Sequence, residues 1–425
     1  MDKTSTKYQA YIQILNEELI PAMGCTEPIA LAYIASKARD ILGDLPEEVI
    51  VKASGSIIKN VKSVIVPNTK QLKGIPAAVV AGLIAGKTHK ELEVISEVED
   101  LQINQMNEYL KKDNIAVEYL ESDNVFDIII ILKKGNDQVT VRIKDYHTNI
   151  VHIEKNGDIL FEKKEEESTQ TTRVDRSLLD MKSIWDFVNS VDTNDIAYIL
   201  ERQIAYNTAI SEEGLKNNYG ANIGKVLLKM EGDNVRTRAK AKAASGSDAR
   251  MNGCELPVII NSGSGNQGIT CSVPVIEYAK ELNVSHEKLL RALALSNLIA
   301  IHEKTGIGTL SAYCGAVSAG AGAGAGIAYL HNGTYEDVIH TIVNSLAIVS
   351  GIVCDGAKAS CAAKIASSVD AAILGYHMYQ NGQEFKSGDG IVMNGVEATI
   401  KGVGKLGKEG MKETNKEIIK LMISC

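Results

Sequence analysis

The chain has few prolines and few aromatic residues, and it lacks an excess of positive charge. Its 425 residues include 7 Pro and 1 Trp, aromatic side chains make up 5%, and 36 residues are Gly. Few prolines among many small residues favour closely packed helices. The 45 basic residues against 53 acidic residues give a net charge of −8. This balance argues against nucleic acid or an anionic membrane surface as the main partner.

An export signal is also missing from the beginning of the sequence. Residues 1–9 are polar and contain no apolar stretch of the kind that secretion requires. We therefore expect a cytoplasmic, reducing location, and the odd count of 7 cysteines argues against a disulfide framework. The uncharged stretch 310–330 is long enough to span a membrane. It consists mostly of Gly, Ala and Ser, so we expect a buried helix pair and no membrane span.

Hydrophobic periodicity predicts an α+β fold, with a mixed N-terminal α+β domain over residues 1–165 packed on an all-helical C-terminal catalytic domain over residues 173–425. Helical spacing covers residues 8–19, 29–41, 75–85, 101–110, 289–299 and 338–353. Strands are predicted at residues 49–53, 61–66, 116–119, 126–132, 139–143, 150–153 and 159–161. The charged stretch 162–172 has no apolar periodicity and is interpreted as the linker.

Three cysteines stand in small-residue surroundings in the second half of the chain. Cys354 and Cys361 are seven residues apart, so on a regular helix they would share one face, unless Gly356 bends the segment into a loop. Cys314 lies forty residues earlier, before a Gly/Ala-rich run. Three thiolates can hold an iron–sulfur cluster and leave one iron open, but the spacing alone favours three buried structural cysteines.

A fourth cysteine, Cys25, precedes Thr26, Glu27 and Pro28. Thr26 can cap the following helix and Pro28 suits its first turn, which places Cys25 at a helix N-terminus. The helix dipole there lowers a thiol's pKa and favours the thiolate, as a nucleophile, base or metal ligand requires. The alternative is a buried hinge residue.

Residues 261–268 form a glycine-rich turn, Asn-Ser-Gly-Ser-Gly-Asn-Gln-Gly. Its spacing matches the dinucleotide fingerprint formally, but Pro274 follows and no second strand with an acidic end comes about twenty residues later. Unpaired backbone N–H groups in such a turn suit a carboxylate, and an ordinary polar turn is the alternative. The candidate binding residues are Asn261, Ser262, Gly263, Ser264, Gly265 and Asn266.

Three further polar groups have two readings each. His147, Thr148 and Asn149 precede a predicted strand and suit substrate recognition, although a lone histidine is more often structural. Asp248 and Arg250 form either an ion pair or, through Arg250, a carboxylate site. The pair His302 and Lys304 is open in the same way.

These motifs occur together and in one order, with Gly-Cys-Thr-Glu-Pro at 24–28, His-Thr-Asn-Ile-Val-His-Ile-Glu at 147–154 and Ser-Asp-Ala-Arg-Met at 247–251. The glycine-rich turn, Leu-Ser-Ala-Tyr-Cys-Gly at 310–315 and Cys-Asp-Gly-Ala-Lys-Ala-Ser-Cys at 354–361 follow. Over nearly its full length the chain resembles the L-cysteine desulfidase family, which is related to the iron–sulfur L-serine dehydratases through their alpha-chain domain.

The resemblance implies a 4Fe-4S cluster and no pyridoxal phosphate. It implies that Cys314, Cys354 and Cys361 are the cluster ligands and that Cys25 is the proton acceptor. The implied reaction converts L-cysteine and water to pyruvate, ammonia and hydrogen sulfide. We hypothesise that Thr26, Glu27, the glycine-rich turn and residues 147–149 bind this small amino acid.

Other functions stay open from the sequence alone. L-Serine dehydratase is the enzymatic alternative, because serine differs from cysteine only in the leaving atom. An iron–sulfur or redox sensor without turnover, or a dinucleotide-dependent enzyme using the glycine-rich turn, are alternatives of other classes. A homodimer is expected only on the ground that dimers are the commonest oligomers of soluble proteins. The terminal Cys425 mimics the substrate and can be an autoinhibitor, a fourth cluster ligand or a frayed end.

Overall fold

The computed structural model describes residues 1–122, 124–163, 174–308 and 311–423. The helices are α1 (Thr6–Glu18), α2 (Thr26–Leu42), α3 (Gly55–Val61), α4 (Gly74–Ala85), α5 (Asp100–Leu110), α6 (Met181–Ser190), α7 (Asn194–Lys216), α8 (Ile223–Glu231), α9 (Val235–Met251), α10 (Gly265–Glu281), α11 (His286–Ile307), α12 (Gly315–Leu330), α13 (Tyr335–Ile348), α14 (Ser360–Gln380), α15 (Val396–Lys405) and α16 (Lys412–Ile423). The strands are β1 (Pro21–Met23), β2 (Glu48–Ala53), β3 (Ile115–Tyr119), β4 (Asp127–Lys134), β5 (Asp137–Lys144), β6 (Ile150–Lys155), β7 (Asp158–Glu162) and β8 (Pro257–Ile259).

A six-stranded mixed sheet organises the first part of the molecule, in the order β3-β2-β4-β5-β6-β7. Strands β2 and β3 run parallel, and the other neighbours are antiparallel. Alternate residues of β4, namely Ile128, Ile130 and Leu132, are fully buried and share a core with α2 and α4. Period-two burial on one face is what a half-covered sheet requires. The predicted α+β fold is therefore confirmed.

The second part is built from helices packed around α12, which lies in the middle of the larger hydrophobic core. Its glycines allow backbone-close packing, because a Cβ on Gly322 would lie 2.5 Å from the carbonyl oxygen of Ser296 in α11. The expected helix pair in this stretch is wrong, since residues 315–330 form a single helix. Within the described ranges, the model contains no helix with the length and hydropathy needed to cross a bilayer.

Three chain segments connect the two parts. Helix α1 packs in the helical core, where Tyr8 and Tyr11 contact Phe187 edge-on with ring centroids 5.4 and 5.3 Å apart. Strand β1 pairs with β8, with Pro21 opposite Ile259. Strand β8 is a short strand within the otherwise helical second part. Helix α16 returns to α3, and Asn415 accepts a hydrogen bond from Lys59 Nζ at 2.7 Å. These crossings fix the junction at which the candidate site lies.

Two predicted elements differ from the structure. The predicted strand at 61–66 is wrong, because residue 61 ends α3 and the following residues form turns; a short apolar run does not by itself distinguish a strand from other buried segments. The predicted helix at 338–353 ends at Ile348, because the backbone beyond it pairs with residues 312–314. Most of the predicted linker, residues 164–172, lies outside the described residues.

Candidate active site

Cys25, Thr26 and Glu27 lie where α2 begins, at the boundary between the two parts. Cys25 is the N-cap residue, so the prediction that Thr26 caps the helix is wrong, whereas Pro28 does lie in the first turn. Cys25 Sγ donates to Glu27 Oε2 at 3.2 Å, and Thr26 Oγ1 donates to the carbonyl oxygen of Gly263 at 3.1 Å. The second contact ties α2 to the glycine-rich turn.

The helix dipole alone predicts a thiolate at Cys25, but the surroundings of its side chain favour the protonated thiol. Burial, followed by the charge of Glu27, raises the pKa of Cys25 well above its usual value, and the nearby charge of Arg250 only partly opposes this. Only 3% of Cys25 is exposed, so its desolvation outweighs the dipole of α2. Cys25 is therefore a neutral thiol whose proton is directed at Glu27, which also accepts from Asn60 Nδ2 at 3.0 Å.

Cys314 and Cys354 are held together by a short antiparallel bridge. The backbone N–H of Cys354 donates to the Ala312 carbonyl at 2.6 Å, and that of Cys314 donates to the Ile352 carbonyl at 3.2 Å. The Cys314 thiol hydrogen bonds to the Cys354 sulfur. This contact, together with the positive charges of Lys59 and Lys304, holds the pKa of Cys354 well below its usual value.

Cys361 completes the group through a bend in the chain. Gly356 has a φ of +96°, and a Cβ there would lie 2.3 Å from the Lys59 carbonyl oxygen, so the backbone turns at this glycine before α14 begins at Ser360. The regular-helix alternative for residues 354–361 is wrong, and the bend predicted at Gly356 is confirmed. Cys361 interacts electrostatically with Cys314 and Cys354, and it packs with Cys25, Val64 and Met251 in one small apolar cluster.

Helix N-termini and two buried lysines surround these cysteines. Cys25 and Cys314 are the N-cap residues of α2 and α12, and Cys361 lies in the first turn of α14. Burial lowers the pKa of Lys59, and it lowers the pKa of Lys304 to about 8. Both ammonium groups interact with the charges of Cys314 and Cys354. These positive groups thus favour negative charge on Cys354, whose pKa they help to lower.

The described residues contain no group of three or more His, Cys, Asp or Glu side chains close enough to share a single metal ion. A four-iron cluster makes a different geometric demand, because each cysteine binds its own iron and the sulfurs lie around the cluster rather than around one ion. The spacing of Cys314, Cys354 and Cys361 therefore argues against a mononuclear site.

The glycine-rich turn faces the site with some of its residues and the helical core with others. The backbones of Asn261 and Ser264 bond to each other in both directions, and α10 begins at Gly265. Asn261 is fully buried and its amide donates to Asn297, while Ser262 Oγ donates to Asn261 Oδ1 at 2.8 Å. Asn261 thus supports the turn, and Gly263 and Asn266 face Thr26 and Arg250.

Residues 147–149 form the turn before β6 and reach the same place only in part. His147 stacks edge-on against Phe126 with centroids 4.7 Å apart, and a Cβ on Gly263 would lie 3.7 Å from its Cε1 atom. Asn149 is occupied within its own turn, since it donates to the Lys144 carbonyl and accepts from Lys163 Nζ. Thr148 is half-buried beside them. His147 is thus the member of this segment that meets the glycine-rich turn.

Some residues of the site carried little or no signal in the sequence. Lys59 and Asn60 lie in an apolar run with nothing to mark them, and Gln267 was part of the glycine-rich motif but not singled out. Lys304 interacts with the charges of Cys314 and Cys354. His302, which the sequence suggested as its companion, instead hydrogen bonds to Glu397, with 2.9 Å between His302 Nε2 and Glu397 Oε2. Asp248 accepts from the backbone of residues 221 and 223 and forms no ion pair with Arg250, so the ion-pair alternative for these two residues is wrong.

Residues 89–420 match the family described as serine dehydratase alpha chain. The match covers more than half of the chain, and the protein therefore belongs to this family of lyases. A UPF0597 protein from Desulfitobacterium hafniense is 58% identical, over 100% of this chain and 99% of its own length. Those from Lachnoclostridium phytofermentans and Treponema denticola are 54% and 47% identical, over 98% and 100% of this chain and 100% of theirs.

Cys314, Cys354, Cys361 and the glycine-rich turn lie within the matched residues 89–420. Cys25 and Glu27 lie before them and are covered by the full-length relatives. The relation to serine dehydratase alpha chains, inferred from the motifs, is confirmed.

Proposed function

We propose that the protein is an iron–sulfur lyase that catalyses β-elimination from a small L-amino acid, with L-cysteine as the substrate. The products are pyruvate, ammonia and hydrogen sulfide. The observation that carries the proposal is the convergence of Cys314, Cys354 and Cys361, of which Cys361 packs against the small apolar cluster that contains Cys25. Dehydration of L-serine by the same groups is the second candidate, and the family match favours it.

The donor set suits a 4Fe-4S cluster. Three cysteines without a disulfide supply thiolates, which are the usual ligands of such clusters. Three helix N-termini and the ammonium groups of Lys59 and Lys304 offset the negative charge that the thiolates and the cluster would bring. When bound, a cluster with one open iron supplies a Lewis acid for the leaving sulfur or oxygen.

The residues of the chain supply the proton chemistry. As Cys25 Sγ takes the proton from Cα of the substrate, its own proton passes to Glu27 Oε2, to which it is hydrogen bonded, so that no separate thiolate has to form. The Cα–H electron pair forms the Cα–Cβ double bond as the Cβ–S bond breaks, which gives 2-aminoacrylate and sulfide. The enamine then takes a proton at Cβ, and water hydrolyses the resulting imine to pyruvate and ammonia.

The test is anaerobic reconstitution with iron and sulfide, followed by measurement of pyruvate from L-cysteine and L-serine side by side. Preferential turnover of L-cysteine supports the desulfidase, and preferential turnover of L-serine makes the protein a dehydratase. An intact cluster without turnover of either substrate would favour a sensor. Cys354→Ala is expected to lose iron, whereas Cys254→Ala, at a buried cysteine of the main helical core, is the matched control and should retain it.

The base is tested separately with Cys25→Ser. We expect this variant to retain the cluster, measured by its visible absorption and iron content, and to lose most of its turnover, because a serine hydroxyl is a far weaker acid than a thiol. Full turnover with an intact cluster would exclude Cys25 as the base. Glu27→Gln should also lower kcat, since the amide cannot accept the thiol proton.

A further inference from the structure

Arg250, near the end of α9, is a buried cation without a protein anion bound to it. It is 3% exposed, and its neighbour Met251 packs against Cys25. Its Nη1 donates to Asn266 Oδ1 at 3.1 Å, and its Nε has no hydrogen-bond partner in the part of the chain that the structure describes. In the same described part, Arg250 forms no ion pair, because Asp248 bonds to the backbone of residues 221 and 223.

Such an arrangement is costly for the protein alone. A guanidinium does not lose its proton in proteins, so it cannot escape burial by becoming neutral. A buried charge without a partner destabilises the folded protein. Glu27 is a carboxylate on the same side, since its charge and that of Arg250 both act on Cys25, but the oxygens of Glu27 accept from Cys25, Thr26 and Asn60. An anionic ligand would complete the site.

The glycine-rich turn is shaped around this guanidinium. A Cβ on Gly265 would lie 2.3 Å from Arg250 Nε and 2.8 Å from its Cζ, so glycine is needed for the side chain to lie here. The turn thus leaves room for the planar, charged guanidinium of Arg250 to lie beside it as a donor group for the ligand. Guanidinium groups match carboxylates in geometry and bind them with two parallel hydrogen bonds.

A second unsatisfied group lies two residues further on. Gln267 is 6% exposed and its Oε1 has no hydrogen-bond partner among the described residues. Its amide lies against Gly315, where a Cβ would be 2.5 Å from the Gln267 Cδ atom, and Gly315 directly follows Cys314. One buried donor and one buried acceptor therefore flank the turn, next to the cysteines.

We propose that Arg250 binds the α-carboxylate of the substrate and that the side-chain oxygen of Gln267 accepts a hydrogen bond from its α-ammonium group. The site thereby selects zwitterionic α-amino acids, whatever the leaving atom at Cβ. This inference rests on the proposed function and adds the two groups that recognise the substrate backbone.

The experiment uses the reconstituted protein and calorimetric binding of L-alanine, which lacks a leaving group, in comparison with L-alaninamide and propionate. Wild type should bind L-alanine more tightly than either, because the amide lacks the carboxylate and propionate lacks the ammonium. Arg250→Gln should weaken L-alanine binding about thirtyfold or more. Gln267→Leu should weaken L-alanine binding but leave propionate binding unchanged. Arg238→Gln, at an exposed ion pair on the same helix, is the matched control.

The outcomes separate this inference from the lyase proposal. If Arg250→Gln binds L-alanine as wild type does, or if wild type binds L-alaninamide equally well, the assignment is overturned. If Arg250→Gln does not fold, the wild-type ligand series and Arg250→Lys, which keeps the charge but not the planar group, still decide. Loss of iron from Arg250→Gln would also overturn it, since that result assigns the charge to the cluster. Selective binding of L-alanine without pyruvate formation would support the inference and contradict the lyase.

Discussion

Replacement of Lys304 by methionine should stabilise the cluster-free, reduced protein. Lys304 is 9% exposed, and burial lowers its pKa from 10.5 to about 8. Each pKa unit corresponds to about 1.36 kcal/mol, so the shift costs the folded state about 3 kcal/mol at pH 7. Methionine has a similar length and no charge, and should recover most of this free energy.

The sign of the pH dependence gives a stricter test. Between pH 8 and 10.5 the unfolded chain binds a proton at this lysine that the folded protein does not, so the stability of wild type rises with pH there. The advantage of Lys304→Met should therefore be full below pH 8 and should shrink toward pH 10.5.

Urea unfolding at pH 7, 8, 9 and 10 measures the difference, and Lys288→Met, at a partly exposed position of the same helix, should change stability by less than about 0.5 kcal/mol. The reasoning is refuted if Lys304→Met is less stable than wild type at pH 7, or if its advantage is independent of pH. The same variant should hold less iron after reconstitution, because it lacks a positive charge that faces Cys314 and Cys354.

Two further predictions concern the stability of the helical part. Burial raises the pKa of Glu303 well above its usual value, so the stability of wild type should fall as the pH rises above the pKa of this carboxyl group in the unfolded chain. Glu303→Gln should remove this decline, which urea unfolding at pH 5 and pH 9 would measure. An equal decline in both proteins would contradict the prediction. Phe187→Ala should cost about 3–5 kcal/mol, because the ring is fully buried and contacts Tyr8 and Tyr11; a thermal unfolding midpoint close to that of wild type would show that α1 does not depend on this contact.

The sequence predicted best those elements whose burial repeats with a regular period. Strands β4 and β5 alternate between buried and partly exposed residues, and α2 is apolar at helical spacing, so all three elements could be predicted from the sequence. The strand prediction for residues 61–66 is wrong because Val61 and residues 64–66 are buried although the backbone there ends a helix and then turns. The hydrophobicity of this segment therefore reports burial without reporting a backbone geometry.

The candidate site was predictable to the extent that motifs mark it. The cysteine motifs and the glycine-rich turn were recognised by their residues and order. The protonation state of Cys25 was not predictable, because the burial that raises its pKa comes from Val64, Met251 and Cys361, which are distant in sequence. The missing partner of Arg250 was hidden for the same reason, since a neighbouring Asp248 suggests a pair that only the folded backbone rules out.

The elements that meet at the site explain why both parts of the molecule are needed for it. Cys25 enters with α2 from the sheet-containing part, whereas Cys314 and Cys361 enter with α12 and α14 from the helical part. Lys59, on α3, bonds both to the Cys354 carbonyl and to Asn415 of the returning α16. A change in the packing of the two parts would therefore move the Cys25 thiol relative to the other three cysteines and would shift the buried ammonium group of Lys59. In this arrangement Cys25 and the other three cysteines form one site only when the sheet-containing part and the helical part are docked.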